Sequence, residues 1–403
     1  MDLLNELLSI PRNPRHTPWI CPLLLIADLI LCILVVKYIP CQTHTNTHTP
    51  TQKDTEIDWR TYMQQTTLYL SGERSYDKLQ GSTGPLVYPA AHLYTYQLLH
   101  ALTDKGENVK LAQTLFLALY LATLALVMLC YRLAAPKTIP PYIFVLLVLS
   151  KRLHSIFMLS WGLGVKMSLL LALPAVGAVL WQGAGRNRAV GLVGVMGQVQ
   201  ILIGYPFLAA NAKSYLSRAF EFSRQFLFKW TVNWRFVGEE VFLSRTFSIA
   251  LLVAHGALLT VFLATRWLRP SGASLPGAFQ QLFRPPPKTV RARIASKVTP
   301  DFVLMSVLSA MIVGCLCARS LHYQFFAYIA WSSPYLLWRS GLHPVLVYVV
   351  WAAQEWAWNV YPSTSASSMV VVGSLAVTAF AAWWGAAGES TTQPPTAGHP
   401  HRD

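Results

Sequence analysis

Long apolar runs separated by short polar breaks dominate the chain, and their lengths predict its elements. A membrane-crossing helix needs about 20 mostly apolar residues. Nine runs approach that length: 19–39, 111–131, 155–181, 189–210, 245–266, 302–318, 322–338, 342–360 and 368–386. A tenth, 138–150, is short and opens near Pro140-Pro141. The first run follows Arg12 and Arg15 and has no small-residue cleavage site after it, so it reads as a retained span and not a removed signal peptide. Two longer polar stretches interrupt the pattern, 40–109 and 211–244. In the first, Thr55-Glu56-Ile57-Asp58 has the form of a capping box and predicts a short helix through about Tyr69. Gly72, Gly81, Gly84-Pro85 and Pro89 then mark turns. In the second, residues 220–236 interleave seven aromatics with Arg224, Lys229 and Arg235, which predicts an interfacial helix at headgroup level. The fold class expected is an all-α integral membrane protein of about ten transmembrane segments, with short helices in the first large loop.

Composition strengthens this reading. Of 403 residues, 54% are hydrophobic and 12% charged, against about 25% charged in ordinary soluble chains. That balance excludes soluble multidomain, collagen-like, disordered and disulfide-framework proteins. Cys21, Cys32, Cys130, Cys315 and Cys317 lie within apolar runs, and only Cys41 sits at the mouth of a polar loop. A net charge of +15 is compatible with nucleic acid as a partner, but its distribution argues against one. From Arg266 to Lys297 there are seven basic residues and no acidic one, the signature of a cytoplasmic loop. Residues 40–109 instead hold seven acidic and five basic residues. The predicted organisation is a cytoplasmic N-terminus (1–18), a membrane domain (19–386) and a polar cytoplasmic tail (387–403). Within the membrane domain, 40–109 and 211–244 lie on the outer side and 266–300 forms the basic inner loop. The remaining outer polar segments, 151–154, 319–322 and 355–364, converge on the same face, which suits an enzyme acting at a membrane surface. A carrier more often holds its ionisable residues at mid-membrane.

Candidate chemistry follows from that face. Asp58 is either a helix-capping residue or a general base, and Glu56 and Asp77 are equal candidates by spacing alone. A phosphate-bearing substrate needs fixed cations, and Arg319, His322, Lys166, Arg235 and Lys229 are available there. Lys166 stands inside an apolar run, where an ammonium is costly without a partner. Glu355, near Trp356 and Asn359, is a possible counter-charge. His44 and His48 have helical zinc spacing but lie in a Thr-rich tract read as loop. There is no P-loop, G-x-S-x-G elbow or D-x-D pair.

The strings around these residues carry further information. T-E-I-D-W-R-T-Y-M (55–63), G-S-T-G-P-L-V-Y-P-A (81–90), S-K-R-L-H-S-I-F (150–157) and V-K-M (165–167) come first. S-Y-L-S-R-A-F-E-F-S-R-Q-F-L-F-K-W-T-V-N-W-R-F (214–236), R-S-L-H-Y-Q-F (319–325), P-Y-L-L-W (334–338) and W-N-V-Y-P-S-T-S (358–365) follow. Together, in this order, they resemble the dolichyl-phosphate-mannose-dependent alpha-1,3-mannosyltransferases of asparagine-linked glycosylation. The resemblance implies a GT-C-type helical bundle in the endoplasmic reticulum membrane with its site at the luminal face. It implies inverting transfer of one mannose from dolichyl phosphate to the five-mannose, two-GlcNAc dolichyl-pyrophosphate intermediate. On that basis Asp58 is the candidate base. Glu56, Asp77, Tyr88, His154, Trp234 and Glu355 are candidate substrate contacts, and Arg319, His322, Lys166 and Arg235 the donor-phosphate contacts. No metal or other cofactor is expected, and the partners are the two lipid-linked substrates and the membrane.

Two departures stand out. Ala91 replaces a usual Gly, and after Met158 the chain runs almost directly into Val165-Lys166-Met167 where the family has a helical hairpin. A shortened, non-catalytic lipid-binding or scaffold relative is therefore the competing reading.

Overall fold

A computed structural model describes residues 9–38, 57–151, 167–220 and 227–385. From the N-terminus its helices are α1 (Thr17–Tyr38), α2 (Ile57–Leu70), α3 (Ala90–Leu102), α4 (Val109–Ala134) and α5 (Pro141–Val148). A minimal hairpin, β1 (Gln80–Gly81) with β2 (Gly84–Pro85), separates α2 from α3. There follow α6 (Leu173–Ala184), α7 (Arg186–Ala219), α8 (Glu239–Leu243), α9 (Arg245–Phe262), α10 (Leu275–Phe283) and α11 (Lys288–Ser296). The last five are α12 (Pro300–Cys317), α13 (Phe326–Ala330), α14 (Ser333–Arg339), α15 (Pro344–Asn359) and α16 (Ser365–Gly385).

Capping chemistry sets many of the starts. Asn108, Ser244, Ser274 and Thr299 each accept a hydrogen bond from the backbone N–H three residues on, at 3.1–3.3 Å. Proline follows the cap directly at Pro300 and Pro344, where its missing N–H costs nothing. Thr364 and Ser367 cap reciprocally, each side-chain oxygen accepting from the other's backbone N–H.

Among the described residues, six helices are long and apolar enough to cross a membrane: α1, α4, α7, α9 with its π-turn to Trp267, α12 and α16. The chain is a multi-pass membrane protein. Helix α15 matches the predicted 342–360 run at 16 residues, and α5 reduces 138–150 to eight. Two predicted spans are corrected. Residues 322–338 are not one helix but a 3-10 turn, α13 and α14, because Pro334 has no N–H to continue the first helix into the second. Similarly, the described part of 155–181 is a 3-10 turn at Met167–Ala172 followed by α6, which restarts at Pro174.

The broken 322–339 segment lies inside the bundle. Phe326, Ile329, Tyr335, Leu336 and Leu337 are buried with Tyr131 and Phe144 from α4 and α5, Ile312 and Val313 from α12, and Leu375 from α16. Asp301, at the start of α12, ties this segment down: it accepts two hydrogen bonds from the Arg339 guanidinium (2.9 and 2.6 Å) and a third from the Tyr335 hydroxyl. Both charged side chains are about three-quarters shielded or more, at 19% and 25% exposed. Replacing Asp301 with Ala should therefore lower stability by roughly 2 kcal/mol, since it removes the carboxylate that takes two bonds from a largely shielded guanidinium and a third from Tyr335. Thermal unfolding of the detergent-purified protein is the check, and an unchanged midpoint would refute it.

Helix α1 is largely lipid-facing, with Ile26, Ile30 and Ile33 about half exposed. Cys21, Asp28 and Cys32 face inward instead, and Asp28, 1% exposed, accepts a hydrogen bond from Tyr120 of α4. A carboxylate in an apolar span is tolerated only when it faces the bundle and finds a donor.

Candidate active site

Helix α2 carries Asp58 in its first turn, where a negative charge is favoured by the helix dipole. The helix is clamped by its next residues. Trp59 donates from Nε1 to Gly106 O (2.9 Å) and packs its ring against Tyr96 and Phe116. Thr61 Oγ1 lies 3.0 Å from Ser82 Oγ and 2.9 Å from Thr83 Oγ1, and Gln65 donates to Gly84 O at 3.1 Å. These contacts seat the β1–β2 hairpin on α2. Gly81 makes the fit possible, because a Cβ there would stand 2.7 Å from Thr61 O. Tyr62, Tyr88 and Tyr96 enclose the buried His92 ring at centroid distances of 4.8, 4.4 and 4.7 Å.

A first joint attaches this loop to the far end of α7. Tyr76, Leu79, Leu86 and Leu93 bury against Phe207 and Tyr215. The helix kinks at Asn211, whose side chain accepts from Ser214 N (3.0 Å) and so caps the final turns. Those turns hold Asp77: its backbone N–H donates to Ser214 Oγ (2.9 Å), and Arg218 Nε donates to its carboxylate (3.2 Å). The Ser214 hydroxyl and then the Arg218 guanidinium hold the Asp77 carboxyl below its ordinary range.

A second joint brings residues 228–248 against 318–322. Val232 N donates to Leu321 O (2.9 Å), while buried Asn233 donates to Ala318 O (2.7 Å) and accepts from Leu321 N (2.8 Å). The expected interfacial helix over 220–236 is corrected here. The described part, from 227, is two 3-10 turns at Phe228–Trp230 and Arg235–Val237. The left-handed backbone of Trp234 (φ 54°) and the cross-links from Asn233 replace helical bonds.

This joint gathers most of the predicted cations. Arg319 donates to Ser248 Oγ (2.8 Å), Arg235 to Phe228 O (2.7 Å), and His322 Nδ1 lies 3.3 Å from Trp230 O. Arg235 and Lys229 also lie over the Phe228 and Trp230 rings, at 4.6 and 4.9 Å from their centroids. Beside them, the Trp234 indole N–H and the Ser320 hydroxyl are buried with no partner among the described residues. Two unpaired donors at the joint that carries these four basic side chains make a site suited to anionic or sugar oxygens.

The structure thus joins Arg319, His322, Arg235 and Trp234 and puts Tyr88 and Asp77 on the first loop. Glu355 accepts from Asn359 Nδ2 at 3.1 Å, and Tyr323 ties the second joint to Val360 O (2.7 Å). Glu56, His154 and Lys166 lie outside the described residues, as do Cys41, His44 and His48. The sequence reading missed Ser320, although it stands between two predicted phosphate contacts, and Asn233, whose role depends on long-range pairing. It also missed Asp28, whose signal was a lone acid in an apolar run.

Comparison with known sequences adds a family. A model of the family described as "ALG3 protein" matches residues 22–161 and 158–368. The chain is similar to the Dol-P-Man:Man(5)GlcNAc(2)-PP-Dol alpha-1,3-mannosyltransferase of Neurospora crassa, at 52% identity over 93% of this chain and 90% of the relative. Proteins of the same name from Homo sapiens and Scheffersomyces stipitis are 35% and 33% identical over 93% and 95% of this chain, and 88% and 89% of their own lengths. No solved structure matches. The Neurospora alignment runs over 416 positions but engages only 93% of a 403-residue chain, which leaves about 40 positions without a counterpart here. The family match restarts at residue 158, where the sequence departs from the family pattern.

Proposed function

Because the chain belongs to the ALG3 protein family, we propose that it transfers mannose from dolichyl-phosphate-mannose in alpha-1,3 linkage to the five-mannose, two-GlcNAc dolichyl-pyrophosphate intermediate. Catalysis takes place at the luminal face of the endoplasmic reticulum membrane, where the 40–109 and 211–244 segments meet. The support is the 52% identity along nearly the whole chain, joined to a cluster of cations and unpaired donors at the second joint.

In this mechanism the Asp58 carboxylate takes the proton of the acceptor hydroxyl as its oxygen attacks the mannose C1. The C1–O bond to phosphate breaks on the opposite side, dolichyl phosphate leaves with the bonding electrons, and the beta linkage becomes alpha. Arg319 meets the departing phosphate, with His322, Arg235 and Lys166 completing the charge around it. Trp234 and Ser320 donate to substrate oxygens. Glu56, Tyr88, His154 and Glu355 contact sugar. Asp77 serves as the anchor between the first loop and α7, because a carboxylate already held by a guanidinium and a hydroxyl is a weakened base.

The test is transfer by the purified, reconstituted chain with both lipid-linked substrates. An alpha-1,3-linked six-mannose product supports the proposal. Its absence from folded, membrane-inserted protein would favour the shortened scaffold reading. The phosphate leaving group and fixed cations need no metal, so EDTA should change the rate by less than about twofold. A loss of activity restored by a divalent cation would refute that part.

A further inference from the structure

We propose that the opposite, basic face of the protein holds a binding site for the phosphate of an anionic membrane lipid. It lies where the start of α7 meets the α10–α11 loop. This site is separate from the transferase reading and stands or falls without it.

The loop is anchored by α9 and α12, two membrane-spanning helices, and so lies against one membrane face. With Arg186 and Arg188 it brings nine basic side chains to that face and no acidic one between Arg266 and Lys297. A small open cleft lies between the end of α6, the start of α7 and the loop, with Trp181, Gln281 and Arg291 in its wall. Arg186 is already committed: its guanidinium donates to Leu282 O (2.9 Å) and Phe283 O (3.3 Å), which fixes α10 beside α7.

Arg291 is different. Its Nε is buried with no partner among the described residues, and Gln281 Oε1 in the same wall is also unpartnered. The guanidinium rests against Gly185, where a Cβ would come within 3.5 Å of it. Gly185 is the cap of the 34-residue α7 and provides no side-chain acceptor for the first N–H groups of that helix. An oxyanion in the cleft would satisfy Arg291 and face the uncapped helix start, and the Gln281 amide can turn its NH₂ toward it.

The neighbouring surface favours a lipid as the source. Phe279 and Phe283 are 64% and 68% exposed on α10, with Leu282 beside them. A short helix with an aromatic, apolar face next to a run of cations inserts at the headgroup–acyl boundary. The Pro285-Pro286-Pro287 run between α10 and α11 stiffens the link between the apolar face and Arg291.

The full chain, delipidated in detergent, would be titrated with phosphatidic acid, with phosphatidylcholine and with inorganic phosphate, and bound lipid counted by native mass spectrometry. Phosphatidic acid should bind about tenfold more tightly than phosphatidylcholine, with Arg291→Gln and Gln281→Glu each removing most of that preference. Arg293→Gln, on the same helix but outside the cleft, should leave it unchanged. An equal loss in Arg293→Gln would reduce the effect to general surface charge and overturn the site. Inorganic phosphate binding as tightly as the lipid would overturn the lipid assignment. Thermal unfolding of each variant without lipid checks that folding is intact.

Discussion

Asp58→Asn should lower mannose transfer by roughly 10²–10⁴-fold, the range expected when a general base is removed. The substitution keeps the size of the side chain and its ability to cap α2, so the clamp formed by Trp59, Thr61 and Gln65 remains in place. It removes only the carboxylate charge that accepts a proton. Donor binding, measured by retention of radiolabelled dolichyl-phosphate-mannose without acceptor, should change by less than about threefold, because the base acts on the acceptor hydroxyl. A variant that keeps wild-type turnover would remove Asp58 from the chemistry and return Glu56 to consideration. One that loses both transfer and folded protein would instead assign the Asp58 charge a structural role at the start of α2.

Arg319→Gln should cost roughly 10²–10³-fold in turnover, the scale found when one preorganised donor to developing negative charge is removed. Its guanidinium is held by Ser248 and lies 5.9 Å from the Phe242 ring centroid, so it is fixed before substrate arrives. Arg319→Lys retains charge but not the planar fork, and should recover only part of the rate. A phosphate contact predicts that the loss falls mainly on kcat, since negative charge on the bridging oxygen grows as the C1–O bond breaks. Equal effects on kcat and KM would mark Arg319 as an ordinary ground-state contact. Ser248→Ala supplies a graded control: it frees the guanidinium without deleting it and should be the milder change.

Much of the bundle was legible in the spacing of apolar residues because a span is a local property. Helices α1, α4, α9, α12 and α16 start and end within a few residues of the runs that predict them. The failures lie where apolar content and helicity part company. Residues 322–338 are apolar because they fill the bundle core, and Pro334 breaks the helix that hydropathy alone suggests. Residues 227–237 hold aromatics and cations at intervals that fit an interfacial helix, yet Asn233 bonds to groups more than 80 positions away. No local pattern contains that information. The candidate site was legible only as a list of charged residues on one face, and the resemblance of the quoted strings supplied the chemistry proposed for it. Bringing Arg319, His322 and Arg235 to one joint required the three-dimensional pairing of 228–248 with 318–322.

The two joints also differ in when they can close. The first joint is complete once the last turns of α7 are made, where Asp77 meets Arg218 across 141 positions. Asn233 must instead wait for Ala318 and Leu321, which emerge only after the basic loop and all of α12 have been made. At about 5–20 residues per second, roughly 85 residues correspond to several seconds or more. During this interval the half of the face that bears the proposed base is available, while the half that bears the phosphate contacts is still open. A nascent chain arrested before α12 would therefore display a folded first loop with no completed partner opposite it. Limited proteolysis of such arrested chains would detect the difference as protection of 57–110 ahead of 228–248.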